Sequence, residues 1–502
     1  MATILNSYVC GEWRAGAGKQ SELVNPSTEE VLAQTSTAGL DLAGAVRFAR
    51  DKGGRALRAM TFAQRAQILQ KLAKVVGDAR EELISLGLAN AGNTRSDAKF
   101  DIDGAAATLM FYADLGGKLG ESRTLPDGEG IPLGRSARLY GQHLLLPRQG
   151  VAVHINAFNF PAWGMAEKLA AALLAGMPVI SKPATATALM AHRMAELWAQ
   201  SGELPEGSFS FICGGIGELL ALLGPQDVIA FTGSGQTATQ LRRLENIVRH
   251  NIHLNVEADS LNSMVLGPDV EPGTDAMNLF FSEAVKEITQ KAGQKCTAVR
   301  RIYVPRRRLE DARAELVQRL SDVRVGNPAD ERNHMGPLAT AEQLQSVREG
   351  IRELAHSAEV STGGPGPVQA LGAPSGKGFF AAPTLLVRKE PSPGDRVNQL
   401  EVFGPVATLM PFDETTALID LVVAGGGGLV GSIYSDDRRF IEELVTALGP
   451  HHGRITVAGE KLAGQSVSPG RSSLSCSMEV QAGPAAVKSS AECAGLACTC
   501  SE

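Results

Sequence analysis

From Val151 onward, short apolar runs alternate with helical patterns, and that alternation narrows the fold more than any other feature of the chain. Residues 151–155, 177–180, 209–213 and 227–231 read as buried strands, with helices over 164–174, 186–200 and 237–249. Strands joined through helices run parallel, because each crossover returns the chain to the same end of the sheet. The helices then cover both faces. Ligands of such sheets bind beyond the carboxyl ends of the strands. Three loops are singled out: 156–161, 181–185 and 232–237. A strand-like run at 252–256 precedes Glu257, and a second alternating block runs from Ser263, with strands at 264–266 and 301–304 and helices at 276–291 and 308–323. The N-terminal third reads as helical. A Gly- and Pro-rich stretch, 125–134, separates it from 137–146, which alternates weakly like one arm of a hairpin.

A chain of 502 residues has room for about three domains, or two with an appendage. Its 44% apolar and 20% charged residues exclude a wholly disordered chain. With 48 basic against 54 acidic side chains the net charge is −6, which argues against a general phosphate-backbone binder. Residues 1–6 show no basic stretch leading into an apolar core. No apolar run approaches the roughly 20 residues that span a bilayer. The expectation is a cytoplasmic protein with neither nucleic-acid nor membrane partners. None of the seven cysteines has zinc spacing with histidine, so no metal site is expected.

Single residues leave the chemistry open. Cys296, in Gly293-Gln294-Lys295-Cys296-Thr297-Ala298, sits where a helical pattern gives way to small and polar residues. A thiolate is a strong nucleophile, but a lone cysteine fits equally well as a buried structural thiol. Glu257 follows a strand-like run and suits a general base or an exposed loop carboxylate. Asn159 lies between Phe158 and Phe160; its amide could donate to a developing oxyanion or satisfy a turn. Gly233-Ser234-Gly235-Gln236-Thr237-Ala238 joins a strand to a helix and could offer amides to a phosphate, although it lacks the dinucleotide glycine spacing. Lys182, in Ser181-Lys182-Pro183-Ala184-Thr185, ends another strand and could reach a ribose or phosphate.

In order, Asn159, Lys182, Gly233, Glu257, Cys296 and Glu401-Val402-Phe403-Gly404-Pro405-Val406 resemble the aldehyde dehydrogenase superfamily over nearly the whole chain. The resemblance implies an α/β fold. A Rossmann-like cofactor domain is expected over 1–130 and 150–258 and a catalytic α/β domain over 259–455. Segments 131–149 and 456–502 would form a bridging extension that supports homodimers. It makes Cys296 the nucleophile, Glu257 the base for deacylation, and Asn159 with the Cys296 amide the oxyanion hole. Glu401 and Phe403 would meet the nicotinamide side of the cofactor, and Lys182 its adenosine ribose. Gly233, Ser234, Ile155 and Phe158 would complete the cofactor contacts.

Departures from the family pattern narrow the branch. The usual Glu-Leu-Gly-Gly is here Glu257-Ala258-Asp259-Ser260, and the second glycine of the cofactor loop is Ala238. With the strings around Asn159 and Cys296, these resemble the dehydrogenases of aerobic CoA-dependent aromatic catabolism. The expected substrate is a CoA-linked semialdehyde, 3,4-dehydroadipyl-CoA semialdehyde of benzoyl-CoA degradation before that of the phenylacetate pathway. The family's adenosine-ribose glutamate is replaced by Thr185, which predicts NADP over NAD; Thr185 also fits a plain helix cap. Two other readings are CoA-acylating oxidation, which would not need the Glu257 base, and a non-catalytic assembly partner.

After Gly470 the resemblance stops, and four of the seven cysteines crowd into 476–500. Plausible GC-rich codons for 478–491, read one base out of phase, spell a glycine-rich string similar to the family's C-terminal segment. The expectation is a frameshift near Gly470.

Overall fold

The computed structural model describes residues 3–136 and 138–460 and the short strand Leu496–Cys498. Apart from that strand, the stretch read as out of frame, 470–502, lies outside the described residues.

Two seven-stranded sheets organise the chain. In the first, His253–Ala258, Val228–Gly233, Ala152–Ile155, Val179–Lys182 and Phe209–Phe211 run parallel in that spatial order. The antiparallel strands Ser7–Val9 and Glu12–Arg14 complete it. Its parallel strands show why these segments read as near-continuous apolar runs. Ala152, Val179 and Val228 pack into one core, while their neighbours Val153, Ile180 and Ile229 pack into another on the opposite face. A strand buried on both sides has no polar face to alternate with.

The second sheet follows the same rule. Its order is Glu359–Thr362, Thr384–Val387, Val406–Phe412, Arg301–Pro305, Ser263–Leu266, Gly428–Tyr434 and His452–Ala458. All but the first are parallel to their neighbours. Val265 and Tyr303 face one core; Met264, Leu266, Ile302 and Val304 face the other.

Several expected elements are corrected. The first 35 residues hold five strands, and helices begin only at Leu42. The stretch after Leu125 is no spacer: Leu125–Pro132 pairs antiparallel with Tyr140–Pro147, with a register shift between Asp127 and Ile131. The hairpin therefore starts within the segment assigned to the cofactor domain. The single helix over 237–249 is two, Gly235–Arg242 and Glu245–Arg249, because Leu244 is extended between them. An unbroken helix would put Leu241 and Val248 on one face; the break instead buries Leu241 and Ile247 and leaves Val248 69% exposed. The helix expected to reach Lys291 is Asp275–Thr289, and Lys291 belongs to the turn that follows. Among the described residues no helix is long and apolar enough to cross a membrane.

Candidate active site

Four of the expected residues lie at the carboxyl ends of the parallel strands of the first sheet. Ile155 pairs in register with Lys182 and with Phe231, and Thr232 pairs with Glu257. Glu257 is thus the penultimate residue of its strand, His253–Ala258, rather than a loop residue after it. Lys182 donates 3.0 Å to the Pro183 carbonyl, and burial pushes its ammonium pKa down. Gly233 closes its strand, and Ser234 caps the helix Gly235–Arg242 by accepting from the Thr237 amide. Thr185 opens the short turn Thr185–Thr187. The helix that follows, Ala188–Gln200, has Thr187 at its cap position, so Thr185 does not cap it, and Thr185 is half-buried. Its neighbour Thr187 donates 2.8 Å to the Phe158 carbonyl and so ties this turn to the Asn159 loop.

The nucleophile candidate comes from the other sheet. Cys296 lies in the loop between the turn Gln290–Gly293 and the strand Arg301–Pro305 and is partly exposed. Its thiol donates to the Glu257 carboxylate, which also accepts 3.3 Å from the Thr232 hydroxyl. Part of the Glu257 surface remains open, but the carboxylate is enclosed closely enough that desolvation, aided by nearby Glu167, pushes its pKa up. Lys168 acts in the opposite direction. A carboxylate so raised takes a proton more readily than an exposed one. Asn159 is 8% exposed.

Glu401 and Phe403 arrive from the second sheet's side. Phe403 meets Phe158 edge-on, with ring centroids 5.8 Å apart, which brings two of the expected cofactor residues together. The Glu401 carboxylate accepts 3.1 Å from Arg300 Nε and 2.9 Å from the Ser260 amide. Burial pushes its pKa up, and Arg300 counters that.

Sequence reasoning missed the residues that fix this centre. Buried Arg300 also donates 3.0 Å to the carbonyls of Gly293 and Gly404, and its guanidinium lies 5.3 Å from the Phe403 ring. Asn262 donates 2.7 Å to the Cys296 carbonyl and 2.9 Å to that of Ala298. At Gly293, where φ is +68°, a Cβ would run into the Gly404 carbonyl oxygen. Asp259 has φ +40°, which favours glycine, and its carboxylate accepts 3.0 Å from the Gly235 amide at the helix start. The signal for Arg300 was available: it directly precedes a wholly buried strand that itself opens on an arginine, and a buried arginine must have partners.

Comparison with known proteins identifies the family. The family model described as "Aldehyde dehydrogenase family" matches residues 13–467. The 3,4-dehydroadipyl-CoA semialdehyde dehydrogenase of Aromatoleum evansii is 43% identical over 456 residues, covering 90% of this chain and 88% of that one. The betaine aldehyde dehydrogenase of Bacillus subtilis is 28% identical, over 88% of this chain and 87% of its own. Among solved structures, an NAD+ complex of an aldehyde dehydrogenase from Bacillus cereus superposes with a TM-score of 0.79 at 25% identity, covering 92% of this chain and 89% of that one. A 3,6-anhydro-L-galactose dehydrogenase in complex with NAP gives 0.80 at 25% identity, covering 91% and 92%. The chain belongs to the aldehyde dehydrogenase family and has its fold.

Proposed function

We propose that this chain is an NADP-dependent dehydrogenase that oxidises a CoA-linked semialdehyde, 3,4-dehydroadipyl-CoA semialdehyde first, to the carboxylic acid. The observation that carries the chemistry is the Cys296 thiol donating to a Glu257 carboxylate of raised pKa. The substrate rests on the 43% relative, whose name states it. Cys296 attacks the aldehyde carbon as the thiolate, its proton having passed to solvent, which leaves Glu257 unprotonated for the later step. The Asn159 amide and the Cys296 N–H hold the resulting oxyanion, where donors fixed in advance act without reorganisation. Loss of hydride leaves a thioester on Cys296. Glu257 then takes a proton from water, and the water oxygen displaces the Cys296 sulfur, releasing the acid.

The residues present fit a dinucleotide. A carboxylate already rests on the Gly235 amide, so that helix start accepts an anion. Lys182, Ser234 and the half-buried Thr185 lie at or just after the ends of parallel strands of one sheet, as does Ile155, and Phe158 meets Phe403. The cofactor supplies the hydride acceptor. Thr185 in place of a carboxylate supports NADP, because no like charge faces a 2′-phosphate there.

On this reading the first sheet serves the cofactor and the second presents the nucleophile. The hairpin leaves Ile131, Leu133, Leu139 and Tyr140 more than half exposed, which supports a homodimer. The frameshift reading rests on the coding coincidence and on the end of the family match at 467. The test is NAD(P)H formation with the CoA-linked semialdehyde, with each cofactor, with and without free CoA. Turnover that prefers NADP and needs no CoA supports the reading; strict dependence on CoA overturns it in favour of thiolysis.

A further inference from the structure

A buried charge cluster outside the reacting groups joins the two loops that carry them. The long helix Arg95–Leu119 points two buried carboxylates at those loops: Asp97 is 3% exposed and Asp101 fully buried. Asp97 closes the helix's own capping box with Thr94, and its carboxylate also faces Lys291. Lys291 opens three consecutive left-handed residues, with φ of +53°, +52° and +68° at Lys291, Ala292 and Gly293, that lead towards Cys296. Asp101 accepts 2.8 Å from the Trp163 amide and 3.4 Å from that of Ala162. It thereby caps the helix that begins just after Asn159, Phe160 and Pro161.

The Lys291 side chain closes the circuit. It is 4% exposed, its Nζ has no hydrogen-bond partner, and the ammonium lies 4.5 Å from the centroid of the Phe160 ring. Asp101 and Asp97 both attract it, while Lys295 repels it. Lys295 itself is held by Glu287 at 2.7 Å and Gln290 at 2.8 Å. A lysine buried without hydrogen bonds costs stability unless opposite charges or an aromatic face compensate. Here both do, and each compensating group belongs to a different loop or to the helix beneath them.

We infer that Asp97, Asp101 and Lys291 are positioning residues that set the Cys296 loop against the Asn159 loop. The inference rests on the proposed roles of Cys296 and Asn159. Left-handed backbone at two non-glycine residues is strained and persists only when the surroundings hold it. Here the Asp97 and Asp101 carboxylates facing Lys291 and its ammonium over Phe160 do so, in addition to the Arg300 bonds. Releasing the ammonium would let the nucleophile and the oxyanion donor drift apart while Lys182 and the Ser234 turn, on other strand ends, stay in place.

The test uses Lys291→Met, which keeps length and apolar bulk, and Asp101→Asn, which keeps an acceptor for the Trp163 amide. Each is assayed in the full chain with semialdehyde and cofactor. Lys291→Met is expected to lower kcat by about 100-fold, the scale of a misplacement of ~1 Å, with both KM values within about threefold of the parent. Adding Asp101→Asn to Lys291→Met should cost less than Asp101→Asn costs alone, because the two act through one contact. Parent-like kcat with only a lower Tm, or fully additive losses, would overturn the inference. Should Lys291→Met fail to fold, Asp101→Asn decides by the same split: a kcat loss at constant KM supports, an unchanged kcat overturns. Cys296→Ala run alongside separates the layers. Its persistence of activity would fell the nucleophile assignment itself; its inactivity beside a parent-like Lys291→Met would fell only the positioning role.

Discussion

The Cys296 loop and the Gly233–Ala238 turn both border the site, yet they are held in opposite ways. Around Cys296, Arg300 donates to the carbonyls of Gly293 and Lys295 before the thiol and Asn262 to those of Cys296 and Ala298, and both side chains are buried. The Gly233 turn is largely exposed and rests on the Ser234 cap and the Asp259 carboxylate. Chemistry needs reacting atoms fixed to a fraction of an ångström, whereas a cofactor has to enter and leave. Substitutions in the first region should therefore cut kcat or stability, and those in the second should move cofactor KM.

The largest effect belongs to the nucleophile. Cys296→Ala should abolish dehydrogenase activity while cofactor binding remains measurable by fluorescence titration. Activity within about tenfold of the parent would remove Cys296 from the role. Next is Arg300→Met, which leaves the carbonyls of Gly293 and Gly404 without their donor and Glu401 buried without its cation. Urea unfolding should report a loss of about 3–5 kcal/mol. A loss under about 1 kcal/mol would show the tight region to be held elsewhere.

The cofactor side should answer differently. Thr185→Glu would set a carboxylate against a 2′-phosphate. At 4 Å and an effective dielectric near 20, each charge pair costs on the order of 4 kcal/mol before screening. We expect the NADP preference to reverse through KM with kcat little changed. Equal kcat/KM for NAD and NADP in the parent would contradict the assignment. Smallest is Asp259→Gly, which relieves the left-handed backbone and frees the Gly235 amide. Cofactor KM should fall by a few-fold, on the scale of about 0.3–1 kcal/mol for one charge at a helix start; a rise would show that the carboxylate assists binding.

The two regions also differed in how far they could be read from sequence. The parallel strands were legible because burial on both faces produces unbroken apolar runs, as at 228–231 and 302–304. Loops at their carboxyl ends followed from topology alone. Local patterns misled where tertiary packing rotates a face, as at the break at Leu244, or where polar groups far apart in sequence meet. Asp97 and Lys291 are 194 positions apart, and nothing near either announces the other. The first 35 residues were missed because their strands, three to five residues each, are too short for a period to show.

Acid pH offers a further comparison of parent and variant. Because burial raises the Glu257 pKa, its basic form is lost, as pH falls, sooner than that of an ordinary glutamate. Parent turnover should decline through a pH above the usual carboxylate range, and Glu257→Gln should lack that limb. The most direct test of the central claim is the pre-steady-state course of Glu257→Gln with the CoA-linked semialdehyde and NADP, followed by intact-protein mass measurement. The account predicts a burst of NADPH close to one per site, slow turnover afterwards, and an acyl mass that disappears when Cys296 is replaced as well. No burst and no acyl adduct would mean that Glu257 acts before hydride transfer, and the division between nucleophile and deacylating base would be wrong.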